Sequence, residues 1–206
     1  MATAAATRKL VLRMAMSLDG FVAGIGGEID WVFKTSTSDS REWVIDTLHG
    51  AGLHIMGSGS YYTMAAFWPF ADTPMAPAMN QTPKAIFSRR PLKDGTQAER
   101  PREGLLPSNS VLQSWAEPMV ASGDLAEELL ALKQQPGSYI LAHGGARFAR
   151  SLVAAGLIDE YRLAIHPVIL GQGLPLFTAL NKPADLRLVS ATSFSGGIVG
   201  AIYQSG

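Results

Sequence analysis

The 206-residue chain contains no cysteine, which excludes disulfides, thiolate nucleophiles and cysteine-ligated metals. It also carries no net charge: 17 Lys and Arg offset 17 Asp and Glu, so nothing draws it toward nucleic acid or an anionic membrane. No apolar run approaches the length of a membrane span. The opening MATAAATRKL lacks an apolar stretch of signal-peptide length. The four histidines, His49, His54, His143 and His166, stand at no metal-ligand spacing, so no metal site is expected. There is no internal repeat and no coiled coil. What these absences leave as the default is a soluble cytoplasmic protein. Apolar residues make up 47% of the chain, enough for a single domain over 1–206 with a sizeable core.

The most informative stretch runs from Tyr139 to Gly173. A short apolar run, Tyr139 to Ala142, turns on Gly144-Gly145 and enters a helical pattern with Phe148, Leu152 and Leu157 on its apolar side. Gly156 is placed to end that helix. A second apolar run, Tyr161 to Leu170, stops at Gly171-Gln172-Gly173. Strand, glycine turn, helix and strand make one βαβ unit. Such a turn lets backbone pass close to a ligand and aims the free N–H groups of the helix start at phosphate. The pair taken alone is better explained as a tight turn.

Elsewhere the pattern predicts strands at Lys9–Ser17, Leu53–Met56, Lys84–Ser88, Ser114–Val120, Asp185–Ser195 and Ile198–Tyr203. Helices are predicted from Ser38 or Asp39 to about His49, over Tyr61–Phe67, and over Asp124–Gln135 with Asp124 as its cap. The near-continuous apolar character of the first strand suggests a central place covered on both faces. Gly196-Gly197 signals a hairpin between the last two strands. Arg89 to Ser110 is polar and proline-punctuated, and is expected to be the most mobile internal segment. Strands alternating with helices and closed by a hairpin argue for an α/β fold with a mostly parallel sheet.

A set of spaced segments carries a resemblance: MSLDGFVAG at Met16–Gly24, DWV at Asp30–Val32, IFSRR at Ile86–Arg90, GGARFARSL at Gly144–Leu152, and GLIDEYRLAIHPVILGQGLPLF at Gly156–Phe177. Together they resemble the dihydrofolate reductase fold. More closely, they are similar to the reductase domain of the bifunctional riboflavin-biosynthesis enzyme, the RibD C-terminal domain family. The resemblance spans Lys9 to Tyr203. It implies a three-layer α/β/α architecture with a mixed eight-stranded sheet and a C-terminal antiparallel hairpin, and NADPH as hydride donor. Residue by residue, it places Ala15 and Trp31 on the nicotinamide side and Gly57 and Ser58 at the start of a pyrophosphate-binding helix. Ser88, Arg89 and Arg90 fall where relatives meet the adenosine 2′-phosphate, and Gly144, Gly145, Ala146, Arg147 and Phe148 form the pyrophosphate turn. Arginine supplies the planar donor fork that phosphate prefers.

The departures bear on substrate. Ser58 and Ser60 stand where dihydrofolate reductases carry arginine and threonine. The folate-binding carboxylate falls near Ser36, and Asp39 is the nearest acid. Two substrate contacts of the riboflavin enzymes are replaced, by Ala142 and by Ile29, and no deaminase zinc motif exists. Asp30 and Asp39 are the candidate catalytic acids. Asp30 either protonates substrate, with its pKa raised by apolar neighbours such as Trp31 and Phe33, or orders the loop before Trp31; bound water could also supply the proton. Asp19 reads as a turn-former or a site residue. Asp159 and Glu160 point to opposite faces of a strand start and read as structural. His143 beside the glycine turn could touch cofactor, and His166 before Pro167 reads as packing. The expectation is an NADPH-dependent oxidoreductase acting on a small pteridine- or pyrimidine-like heterocycle or a carbonyl compound, working as a homodimer. The alternatives are a nucleotide-binding protein of this fold without catalysis and a purely structural module.

Overall fold

The computed structural model describes residues 7–92, 107–178, 180 and 182–206. The chain runs β1 (Leu10–Ser17), β2 (Phe21–Ala23), α1 (Asp30–Thr35), α2 (Ser38–His49), β3 (Leu53–Gly57) and α3 (Ser58–Phe67), with a 3-10 turn at Trp68–Phe70. It continues with α4 (Ala76–Gln81), β4 (Lys84–Phe87), α5 (Asn109–Ala116), β5 (Met119–Ala121), α6 (Leu125–Lys133), β6 (Ile140–Ala142) and α7 (Ala146–Ala155). It closes with β7 (Glu160–His166), β8 (Leu174–Pro175), β9 (Leu186–Ser193) and β10 (Val199–Ser205).

Eight strands form one sheet in the order β5-β4-β3-β6-β1-β7-β10-β9. From β5 to β7 the pairs are parallel, while β10 runs antiparallel to both β7 and β9. The five apolar runs expected in one sheet are all in it. β1 is central, and its side chains alternate between two cores. Leu10, Leu12 and Met14 join Leu129, Leu132, Ala149 and Leu152 of α6 and α7. Val11 joins Val44, Leu48, Tyr61, Met79 and Trp115 on the α2–α5 side. This gives three layers, α/β/α.

Local chemistry sets the boundaries. The Asp124 carboxylate accepts from the N–H groups of Ala126 and Glu127 and starts α6. Gly156 ends α7 in the left-handed region at φ 66°. The Gly196-Gly197 turn joins β9 to β10. Asp19 accepts from the Ser17 hydroxyl and from the N–H groups of Leu170 and Gly171, which is the turn-forming role. Asp159 takes Lys133 Nζ at 2.7 Å and Leu10 N–H at 2.6 Å, and Glu160 pairs with Arg162 at 2.8 Å, so both acids are structural.

Three expectations need correction. Ser114–Val120 is not a strand: Ser108 caps α5 by accepting from Val111 N–H, and the helix turns Trp115 inward to donate to Asn80 Oδ1 at 2.8 Å. Only Met119–Ala121 is extended. The N-cap of α2 is Thr37, in a reciprocal capping box with Ser40, rather than Ser38 or Asp39. The strand begun at Tyr161 stops at His166. Within Arg89–Ser110, residues 93–106 lie outside the described residues, and so does the expectation of mobility there. No helix among the described residues is long and apolar enough to cross a membrane.

Candidate functional site

The carboxyl ends of β3, β6, β1 and β7 open into a cleft of about 2800 Å³. An open parallel sheet places its ligand at these ends, where the chain changes direction across the sheet. The volume exceeds the few hundred to about 1,000 Å³ of an ordinary small-molecule pocket and leaves room for a dinucleotide beside a second molecule. Ala15, Gly57, Ser58, Ser60, Ser88, Arg89, Arg90 and the run Gly144 to Phe148 all line it. The fold therefore gathers all the cofactor-side candidates but one.

Two helix starts meet at the centre of this group. β3 leads through Gly57 into α3, and β6 leads through Gly144-Gly145 into α7. They are tied by the Ser60 hydroxyl, which donates to the Gly144 carbonyl at 2.5 Å. Space between them is short. A Cβ on Gly57 would lie 3.2 Å from Phe148 Cβ, one on Gly144 2.9 Å from Met14 Sδ, and one on Gly145 2.5 Å from Ser60 Oγ. Gly145 also sits at φ 120°, a conformation that side-chain-bearing residues rarely adopt. The glycines thus bring bare backbone and two helix N-termini to the same wall, an arrangement that suits a pyrophosphate. At the end of β4, the Phe87 and Phe148 rings pack at 5.2 Å. Beyond them Arg89 and Arg90 are exposed, and neither joins an ion pair among the described residues. The residues present fit a phosphorylated dinucleotide.

The remaining candidates are placed differently. Trp31 is buried and is not among the cleft-lining residues. Its ring packs edge-on against His166, centroids 5.2 Å apart, and its Nε1 has no partner. His166 is what reaches the cleft, with its Nδ1 2.7 Å from Thr35 Oγ1. Asp30 is exposed on the first turn of α1 and does not line the cleft. Asp39 faces away from it too: its carboxylate accepts from the Thr37 hydroxyl and from the backbone N–H groups of Ser40 and Ser195. The Thr37 hydroxyl first, and the Ser195 N–H after it, lower its pKa to about 2. It stays ionised at neutral pH and ties α2 to the β9–β10 turn. His143 is buried behind the glycine turn, its ring 4.6 Å from that of His54, and is not cleft-lining. No cluster of His, Asp or Glu among the described residues could hold a metal ion.

Arg13 was not anticipated. It lines the cleft from the middle of β1, and its Nε is buried without a partner. Burial lowers its pKa to about 10, so it remains a cation. His166 and His143 nearby are held neutral, chiefly by burial; for His166 the value falls to about 4. The signal was available: Arg13 is the one charge inside the apolar run Leu10–Met16, a position that normally holds an aliphatic residue.

With the geometry in place, comparisons with known proteins agree with it. Residues 8–200 match the RibD C-terminal domain. The uncharacterized protein YyaP of Bacillus subtilis is 30% identical over 204 residues, covering 96% of this chain and 95% of that one. Among solved structures, the diaminohydroxyphosphoribosylaminopyrimidine deaminase/5-amino-6-(5-phosphoribosylamino)uracil reductase of Thermotoga maritima superposes with a TM-score of 0.68 at 16% identity, over 97% of this chain and 57% of that one. The dihydrofolate reductase of Enterococcus faecalis, complexed with NADP(H), superposes with a TM-score of 0.60 at 11% identity, over 96% of each chain.

Proposed function

The chain belongs to the RibD C-terminal domain family, and from that premise we propose that it is an NADPH-dependent reductase of a small heterocyclic or carbonyl substrate. The observation that carries the reading is the pair of facing glycine turns, Gly57–Ser60 and Gly144–Phe148, with Ser88–Arg90 beside them in one cleft. The reductase of Thermotoga maritima and the NADP(H)-binding dihydrofolate reductase share this fold. In this reading the backbone of the two turns holds the pyrophosphate, and Arg89 and Arg90 meet the 2′-phosphate. The cofactor, when bound, supplies a hydride. The protein's own residues bind and orient: Ala15 and Ala164 form a flat floor, His166 is kept neutral beside it, and Arg13 offers a charge-assisted donor to an acceptor oxygen. Neither Asp30 nor Asp39 lines the cleft, and in this reading the proton comes from water.

The test is a pair of titrations at one fixed salt concentration. NADPH should bind more tightly than NADH. Replacing Arg89 and Arg90 with alanine should weaken NADPH by about tenfold or more while leaving NADH nearly unaffected, since a charge-assisted phosphate contact contributes roughly 1.5–3 kcal/mol. Equal losses for both would remove the 2′-phosphate assignment, and no binding by the parent protein would remove the reductase reading. NADPH binding without turnover of any heterocycle or carbonyl compound would leave the non-catalytic nucleotide-binding alternative.

A further inference from the structure

The half of the cleft away from the glycine turns has a chemistry of its own. β7 stands three strand spacings from β3, roughly 14 Å. There α1 is held over the sheet end by Thr35 on His166. The far end of α3 lies about 14 Å from its start. These two elements bring Ile29, Val32 and Phe33, and Met64, Phe67 and Trp68, to the cleft. Phe33 is 70% exposed and Phe67 54%. Large apolar side chains left open along one concave surface mark a ligand site rather than scattered surface residues. The charged groups sharing this half, Arg41, Glu42, Asp46 and Asp72, are all exposed and remain in water at the rim.

The floor is different. Of the strand residues that form it, Met14, Ala15, Ala164 and His166 are uncharged at neutral pH and Arg13 is a cation. Among the described residues no acid accepts from Arg13, and its Nε is shut off from solvent. A guanidinium so placed is matched by an oxygen acceptor carried in by a ligand. We propose that this half of the cleft takes a planar, mainly apolar molecule bearing a single carbonyl or carboxylate group, its rings against Phe33, Met64 and Phe67 and its oxygen on Arg13. To name that molecule the substrate rests on the reductase reading. A sugar phosphate has no apolar body to set against Phe33, Met64 and Phe67.

The experiment uses three probes read by tryptophan fluorescence and calorimetry: 2-naphthoate, the cationic naphthalen-2-ylmethylamine and ribose 5-phosphate. Naphthoate should bind saturably, and the other two at least tenfold more weakly. Phe67→Ser, a change at an exposed position that the fold tolerates, should weaken naphthoate about tenfold through loss of ring contact. Arg13→Met should weaken it by tenfold or more and narrow the gap between naphthoate and the amine. Failure of naphthoate to bind, displacement of naphthoate by ribose 5-phosphate at similar concentration, or an unchanged affinity in folded Phe67→Ser overturns the assignment. The Phe67 arm decides the matter even if Arg13→Met does not fold. NADPH titrated into the same sample separates the two readings. Naphthoate binding without NADPH binding removes the reductase and keeps the ligand class, whereas NADPH binding without naphthoate binding removes the ligand class alone.

Discussion

Acid should destabilise this protein through a buried imidazole on β3. His54 is 0% exposed, and among the described residues its ring meets no side-chain hydrogen-bond partner, only the Leu48 backbone. Lys84 stands beside it on β4 and the His143 ring packs edge-on at 4.6 Å. Burial, and secondarily the Lys84 charge, lower its pKa from 6.5 to about 4. The folded value lies below the unfolded one, so between them the unfolded chain binds the proton and the native state does not. Stability from this group is complete above pH 6.5 and is lost as pH falls toward 4. The full difference is about 3 kcal/mol and about 2 kcal/mol of it is gone by pH 5. His54→Leu removes the proton and puts an aliphatic side chain of similar volume in a dry site. Urea unfolding of both proteins, followed by tryptophan fluorescence at a series of pH values, is the assay. The two stabilities should be close at neutral pH, and the variant should be about 2 kcal/mol more stable at pH 5. Parallel stability curves across that window would refute the account.

Other expectations follow from the same contacts. Gly145→Val should cost about 1–3 kcal/mol in urea unfolding and weaken NADPH and NADH alike, because its Cβ would meet Ser60 Oγ in a left-handed backbone. Parent-like affinity would show that the turn does not carry the pyrophosphate. Asp39→Asn should lower the melting temperature at neutral pH by loosening α2 from the β9–β10 turn. It should also flatten the acid limb between pH 3.8 and about 2, where the ionised carboxylate's contribution is lost. Proton-linked unfolding identical to the parent there would contradict the assignment. We propose that the edge strand β9, exposed along all eight residues with Leu188 51% exposed, pairs with a second copy. Light scattering should then show a dimer that Leu188→Lys reduces to a monomer, and a monomeric parent would end the idea.

Strands and glycine turns were legible in the sequence because their causes are local. The apolar runs at Leu53, Lys84 and Tyr139 become strands, Asp124 and Gly156 bound their helices, and Gly144-Gly145 opens α7, each through chemistry within a few residues of itself. The resemblance carried most of the cofactor wall, since those residues follow strand ends in any version of the fold. Helix α5 was missed because Trp115 is turned inward by Asn80, which lies 35 residues away in the chain. The same kind of distant contact decided the acids. Asp39 is bound by Ser195, 156 residues on, and the Trp31 ring packs edge-on against His166. Whether a charged residue inside an apolar strand is paired or left facing a cavity depends on what the neighbouring strands and helices bring to it. For Arg13 the described residues bring neutral imidazoles and no carboxylate partner, and only the folded arrangement could decide that.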